Sequence, residues 1–235
     1  MATDDLSKRP WVLLGGTLCT DLLFESLLDT IGVPTSRCRY VPLHLPTIED
    51  YGSVFRDLPH DTVVCGFSLG AIVAAHYADR MSVHQLILFG VNPFADDPAN
   101  ATNRHDLAKQ VNTLGGAEAL RARAPEVFGS TPDQTRAMIY KMADTAEDMI
   151  SAQTRMALTR PGAVPALARA KMPVLAITGS NDKSTPPNYG RAAAQAAPRG
   201  QFVALEGLGH FALLEDPQAC ATAVSRATKV THDTN

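Results

Sequence analysis

Cysteine is sparse and unpaired in this sequence: Cys19, Cys38, Cys65 and Cys220 lie far apart and form no C-x-x-C motif, which argues against a zinc knuckle or a disulfide framework. Aromatic residues are few, at 6%, and neither sign of charge dominates, since 21 Lys and Arg face 24 Asp and Glu for a formal net charge of -3. That balance gives no electrostatic reason to expect nucleic acid or an anionic membrane as partner, and a neutral small molecule fits better. No apolar stretch is long enough to span a bilayer. Met1–Pro10 is polar and mixed in charge, lacking the basic start and apolar run of a secretory signal. There is no glycine-rich phosphate loop and no His and carboxylate cluster at metal-ligand spacing. A cytoplasmic protein with reduced thiols, no metal and no cofactor is expected, and its oligomeric state stays open.

What is present suits a globular fold. The 235 residues, 45% apolar and 19% charged, fit one domain with a small insertion. Trp11–Leu14 is a continuous apolar run before Gly15 and Gly16, as in a strand buried on both faces of a parallel sheet. Further strands are predicted over 37–41, 62–67, 83–91, 174–178 and 201–205. Helices are predicted over 21–31, 48–56, 69–80, 189–197 and 217–228, with a polar tail over 231–235. Between about 92 and 160 the periodicity is helical without a convincing strand. Helix starts are expected near Thr102, Gly116, Thr131 and Thr145. The implied architecture is α/β, a mainly parallel sheet with helices on both faces, built from residues 1–91 and 161–235 with a helical cap, 92–160, inserted between them.

In such sheets ligands bind at the carboxyl ends of the strands, where three chemically suggestive turns fall. Gly66-Phe67-Ser68-Leu69-Gly70 sets a serine between two glycines where a strand meets a helix, a sharp turn that exposes the hydroxyl. A serine needs a base to take its proton. Of seven histidines, His210 alone follows the last strand on a glycine-rich loop; His44, His60, His76, His84, His105 and His232 fall elsewhere. The base in turn needs an acceptor to fix its tautomer, and Asp182, beyond the strand ending at Thr178, precedes His210 by 28 residues. Asp96, Asp97 and Glu206 are weaker candidates. An oxyanion requires two donors: the Leu69 N–H at the helix start, and one from Gly15-Gly16-Thr17-Leu18, for which Thr17 is chosen with Leu18 as neighbour.

Along nearly its whole length the sequence resembles the α/β-hydrolase superfamily. The resemblance rests on Leu13–Cys19, Gly66–Gly70, Gly179–Asp182 with Thr185-Pro186-Pro187, and Gly209-His210-Phe211 with Leu214–Pro217. It implies a Ser68, Asp182, His210 triad, with Thr17 and Leu69 forming the oxyanion hole. Within the family the chain is similar to a bacterial subgroup with a Gly-Thr-Leu-Cys oxyanion loop, as is the segment from Gln153 to Arg160. It departs from the family in having Gly15-Gly16 for the usual His-Gly, and Val41–Pro46 for the usual Asp-x-x-Gly-x-Gly turn. It also lacks two leading antiparallel strands, which leaves about six strands. The activity implied is hydrolysis of an ester, lactone or related acyl bond of a small molecule through an acyl-enzyme on Ser68. The same residues also serve lyase, acyl-transfer or perhydrolase chemistry, and a third reading is a ligand receptor with little turnover. Met138, Met142, Met149 and Met156 recur at intervals suited to a helix face that either packs on the core or lines a pocket.

Overall fold

The computed structural model describes residues 5–230, so residues 1–4 and the polar tail with His232 lie outside the described residues. Six strands form one sheet: β1 (Trp11–Leu14), β2 (Cys38–Val41), β3 (Val63–Phe67), β4 (Gln85–Phe89), β5 (Val174–Gly179) and β6 (Gly200–Leu205). Their order is β2-β1-β3-β4-β5-β6, and every adjacent pair is parallel. Parallel neighbours need crossovers, and helices supply them: α1 (Glu25–Ile31), α2 (Gly52–Phe55), α3 (Leu69–His76), then α4 (Ala101–Leu114), α5 (Gly116–Arg123), α6 (Pro132–Thr145), α7 (Ile150–Thr159) and α8 (Val164–Leu167) between β4 and β5. The chain closes with α9 (Pro187–Ala196), α10 (Ala212–Glu215) and α11 (Pro217–Val230). Among the described residues no helix is long and apolar enough to cross a membrane.

Side-chain alternation along the strands divides the core into two layers. Val12, Leu14, Val64, Leu86 and Leu88 face α3, α8 and α9, while Trp11, Leu13, Val63, Cys65 and Ile87 face α1 and α11. The central strands are buried throughout, which is why they read as unbroken apolar runs rather than alternating ones. A third small cluster joins Leu18 to Val111, Ala119, Ala143 and Ile150, so the loop after β1 packs into the helices between β4 and β5.

Several expected elements differ in detail. The helix predicted over 21–31 opens as a 3-10 turn, Asp21–Leu23, before α1. The helix predicted over 48–56 divides in the same way, into a 3-10 turn, Glu49–Tyr51, and α2. Helix α3 stops at His76 instead of Arg80, where Tyr77 leaves helical geometry and its hydroxyl donates to the Ile48 carbonyl at 3.0 Å. Thr145 ends a helix rather than starting one: its hydroxyl bonds back to the Lys141 carbonyl at 3.0 Å inside α6. The acidic residues beside it, Asp144 and Glu147, accept the Ala117 and Gly116 N–H groups at 2.7 and 2.9 Å and so cap α5.

Candidate active site

Strand order reverses between β1 and β3, because the chain moves outward from β1 to β2 and then returns past β1 to β3. Loops leaving the carboxyl ends of these two strands diverge and open a crevice between them. The loop after β1 carries Thr17, and the turn after β3 carries Ser68.

Ser68 adopts φ +51° and ψ -117°, a left-handed conformation that a residue with a side chain rarely takes. It is held there by its N–H bond to the Phe89 carbonyl at 2.9 Å and by α3, which starts at the next residue and whose Ile72 N–H returns to the Ser68 carbonyl at 3.1 Å. The turn is tight enough to demand glycine on both sides. A Cβ on Gly66 would lie 2.6 Å from the Ala71 Cα, and one on Gly70 would overlap the Leu14 and Gly15 carbonyls.

His210 and Asp182 meet Ser68 here. His210 Nε2 lies 3.1 Å from Ser68 Oγ, and its Nδ1 lies 2.8 Å from Asp182 Oδ2. The imidazole sits against the Phe67 ring, with centroids 4.9 Å apart. Asp182 is buried and fully engaged: its Oδ1 accepts the Ser184 and Thr185 N–H groups, each at 2.8 Å, and its Oδ2 accepts the Thr185 hydroxyl at 2.7 Å. Burial alone would raise the Asp182 carboxyl, but the hydrogen bond to His210, its charge and the Thr185 donors outweigh that and hold it below the usual carboxylate range. The other acidic candidates lie apart: Asp96 pairs with Arg104, Asp97 caps a 3-10 turn through the Ala99 N–H, and Glu206 is exposed.

Thr17, Ser68 and Leu69 line one cavity of about 300 Å³. As the first residue of α3, Leu69 has an N–H without an intrahelical acceptor. The Leu18 N–H is committed elsewhere, to Gln153 Oε1 at 3.0 Å. Leu18 itself is left-handed, at φ +56°. A larger groove of about 700 Å³ runs between β6 and α11, but it contains none of these residues. Among the described residues no group of His, Cys, Asp and Glu is arranged to hold a metal.

Three further residues shape the site without having been assigned a role from the sequence. Gln153 is buried and tethers the loop after β1 to α7, Arg160 is buried at the cavity wall, and Glu215 accepts the Gly209 N–H at 2.5 Å, fixing the backbone beside His210. Burial raises the Glu215 carboxyl despite that bond. From the sequence, Gln153 and Arg160 stand equally as contacts to a polar substrate group and as exposed helix positions, and neither is assigned a role. The four methionines line no part of the cavity: Met142 and Met156 are core residues on opposite faces of the sheet, and Met138 packs against the layer that holds Met142.

A family model described as the alpha/beta hydrolase family matches residues 10–223. The pimeloyl-[acyl-carrier protein] methyl ester esterase of Aromatoleum aromaticum is 26% identical over 208 residues, covering 78% of this chain and 80% of that protein. Among solved structures, a thermophilic esterase from Thermogutta terrifontis superposes with a TM-score of 0.79 at 21% identity, over 95% of this chain and 90% of that one. The enol-lactonase from Burkholderia xenovorans LB400 gives a TM-score of 0.77 at 20% identity, over 94% and 92%. With a family match spanning all six strands and the helices on both faces of the sheet, the chain belongs to the α/β-hydrolase family.

Proposed function

We propose that this protein is a serine hydrolase that cleaves a carboxylic ester or lactone of a small molecule through an acyl-enzyme on Ser68. The observation that carries the reading is the continuous hydrogen-bonded chain from Ser68 Oγ through the His210 ring to the buried Asp182. His210 takes the Ser68 proton as Oγ attacks the carbonyl carbon, and returns it to the departing alkoxide, which leaves as the alcohol. Asp182 holds the ring with Nε2 facing Ser68 and stabilises the imidazolium. The N–H groups of Thr17 and Leu69 receive the charge that develops on the carbonyl oxygen. Water, deprotonated by His210, then cleaves the acyl-enzyme. Ester and lactone chemistry is favoured because the relatives named above are esterases and an enol-lactonase.

The same reading assigns residues 92–160 as a cap over a core of 1–91 and 161–235, supported by Arg104, Ala157 and Arg160 lining the cavity that holds Ser68. The run Gly16-Thr17-Leu18-Cys19 supports membership of the subgroup with that oxyanion loop. The free state of all four cysteines supports a reducing, cytoplasmic setting. The test is a panel of short and long acyl esters, lactones and thioesters, assayed with wild type beside Ser68→Ala. Turnover is expected to fall on the order of 10⁶-fold in the variant; near-normal turnover would exclude Ser68 as nucleophile.

A further inference from the structure

Three cationic side chains, Arg104, Arg160 and Lys183, line the cavity over Ser68, and no carboxylate does. Lys183 sits at the rim and is answered by Glu126 at 2.8 Å, both well exposed. The two arginines share one partner. Asp96, with a side chain 3% exposed, accepts Arg104 at 2.5 and 2.7 Å and reaches Arg160 Nη1 only at 3.4 Å. Arg160 is left short: its side chain is 1% exposed, Nη1 donates to the Ala157 carbonyl at 3.3 Å, and Nε is buried without an acceptor.

A guanidinium has five N–H donors and keeps its charge at any physiological pH, so burying one with donors unmet is costly unless something completes it. Two guanidiniums on one carboxylate leave this wall one negative charge short. The missing partner is planar and bidentate by preference, which describes a carboxylate. Whole-chain charge, which suggested a neutral ligand, says nothing about one desolvated wall.

We propose that the substrate is a small ester or lactone bearing a free carboxylate, which Arg160 binds with Arg104 in support. The inference rests on the reading of Ser68 as nucleophile and narrows its substrate class. Hydrolysis consumes one water, breaks the acyl C–O bond and yields a product with one more carboxylate than the substrate; no oxidant or reductant is involved. The cavity volume of about 300 Å³ lies at the small end of ligand pockets and favours a short chain.

The test pairs the monomethyl esters of succinate, glutarate and adipate with their dimethyl esters. Wild type is expected to turn over at least one half-ester with kcat/KM about 10- to 100-fold above its dimethyl counterpart. Arg160→Gln should collapse that ratio to within about threefold of unity, with Arg160→Lys between the two. Should Arg160 variants fail to fold, the wild-type ratios decide alone, and dimethyl esters equalling or exceeding half-esters throughout the series overturns the proposal while leaving the hydrolase reading intact. If no ester of either kind reacts and a fluorophosphonate fails to label Ser68, the hydrolase reading itself has failed. Calorimetry with glutarate on wild type then judges the anion site: saturable binding weakened in Arg160→Gln or Arg160→Lys supports it, and no binding refutes it.

Discussion

Removing the Gln153 side-chain carbonyl should damage catalysis from outside the reacting groups. Gln153 is 1% exposed, and its Oε1 is the acceptor for the Leu18 N–H, with Leu18 held at φ +56°. A left-handed leucine costs roughly 1–2 kcal/mol, and a buried N–H deprived of its acceptor costs about 1–3 kcal/mol more. The loop is therefore expected to relax and carry the neighbouring Thr17 N–H away from the oxyanion. Loss of one such donor lowers kcat on the order of 10²–10³-fold, and partial displacement by about 10- to 100-fold. Gln153→Met keeps length and apolar bulk but deletes the acceptor; Gln153→Glu retains one. With a neutral chromogenic ester, the Met variant should lose kcat while KM changes less than about threefold, and the Glu variant should recover part of the loss. Melting temperature reports the structural cost, about 2–4 °C per kcal/mol for a chain of this size. A Met variant that melts lower yet keeps wild-type kcat would refute the link between Gln153 and the oxyanion loop.

Further outcomes follow from other contacts. Asp182→Asn should lower kcat on the order of 10⁴-fold, because an amide no longer selects the required histidine tautomer, and a loss below tenfold would contradict that role. Gly70→Ala forces a methyl onto the Leu14 and Gly15 carbonyls; it should cost at least about 1–3 kcal/mol in denaturant unfolding, whereas an unchanged midpoint would show the turn to be looser than described. Asp182 and Glu215 should act oppositely on stability against pH. The Asp182 carboxyl is lowered, so its contribution is complete above the unfolded carboxylate value and is lost as pH falls through the folded one. Glu215 is raised, so its ionised form burdens the folded state above its folded value and protonation relieves that burden. Glu215→Gln, which keeps an acceptor for the Gly209 N–H, should therefore melt higher than wild type near neutrality, the gain shrinking as pH approaches the ordinary carboxylate range; a gain that grows in acid would reverse the assignment.

Strands were the most legible part of the fold. Trp11–Leu14 matches its predicted bounds, and the other strands fall within about two residues of theirs, because burial on both faces leaves continuous apolar runs bounded by glycine and proline. Helix ends were less legible. Tyr77 stops α3 through a tertiary bond to Ile48, and Thr145 ends α6 because acidic residues beside it cap another helix, neither of which is visible in local sequence. The short helices α8 and α10 carry no periodicity long enough to detect. At the site, Ser68, Asp182 and His210 were identifiable because each follows a strand in a parallel sheet, which converts sequence order into proximity. Gln153, Arg160 and Glu215 act through contacts 135, 64 and 6 residues away, with Leu18, Asp96 and Gly209, and nothing in local sequence announces which partner each side chain reaches.

The central claim is that the Ser68 hydroxyl is activated by the His210 ring. Intact-mass and peptide mapping after treatment with a fluorophosphonate, on wild type and His210→Ala, tests it most directly. A single adduct on Ser68 is predicted, forming orders of magnitude more slowly without the imidazole. An adduct on another residue, or equal labelling rates in the two proteins, would contradict it.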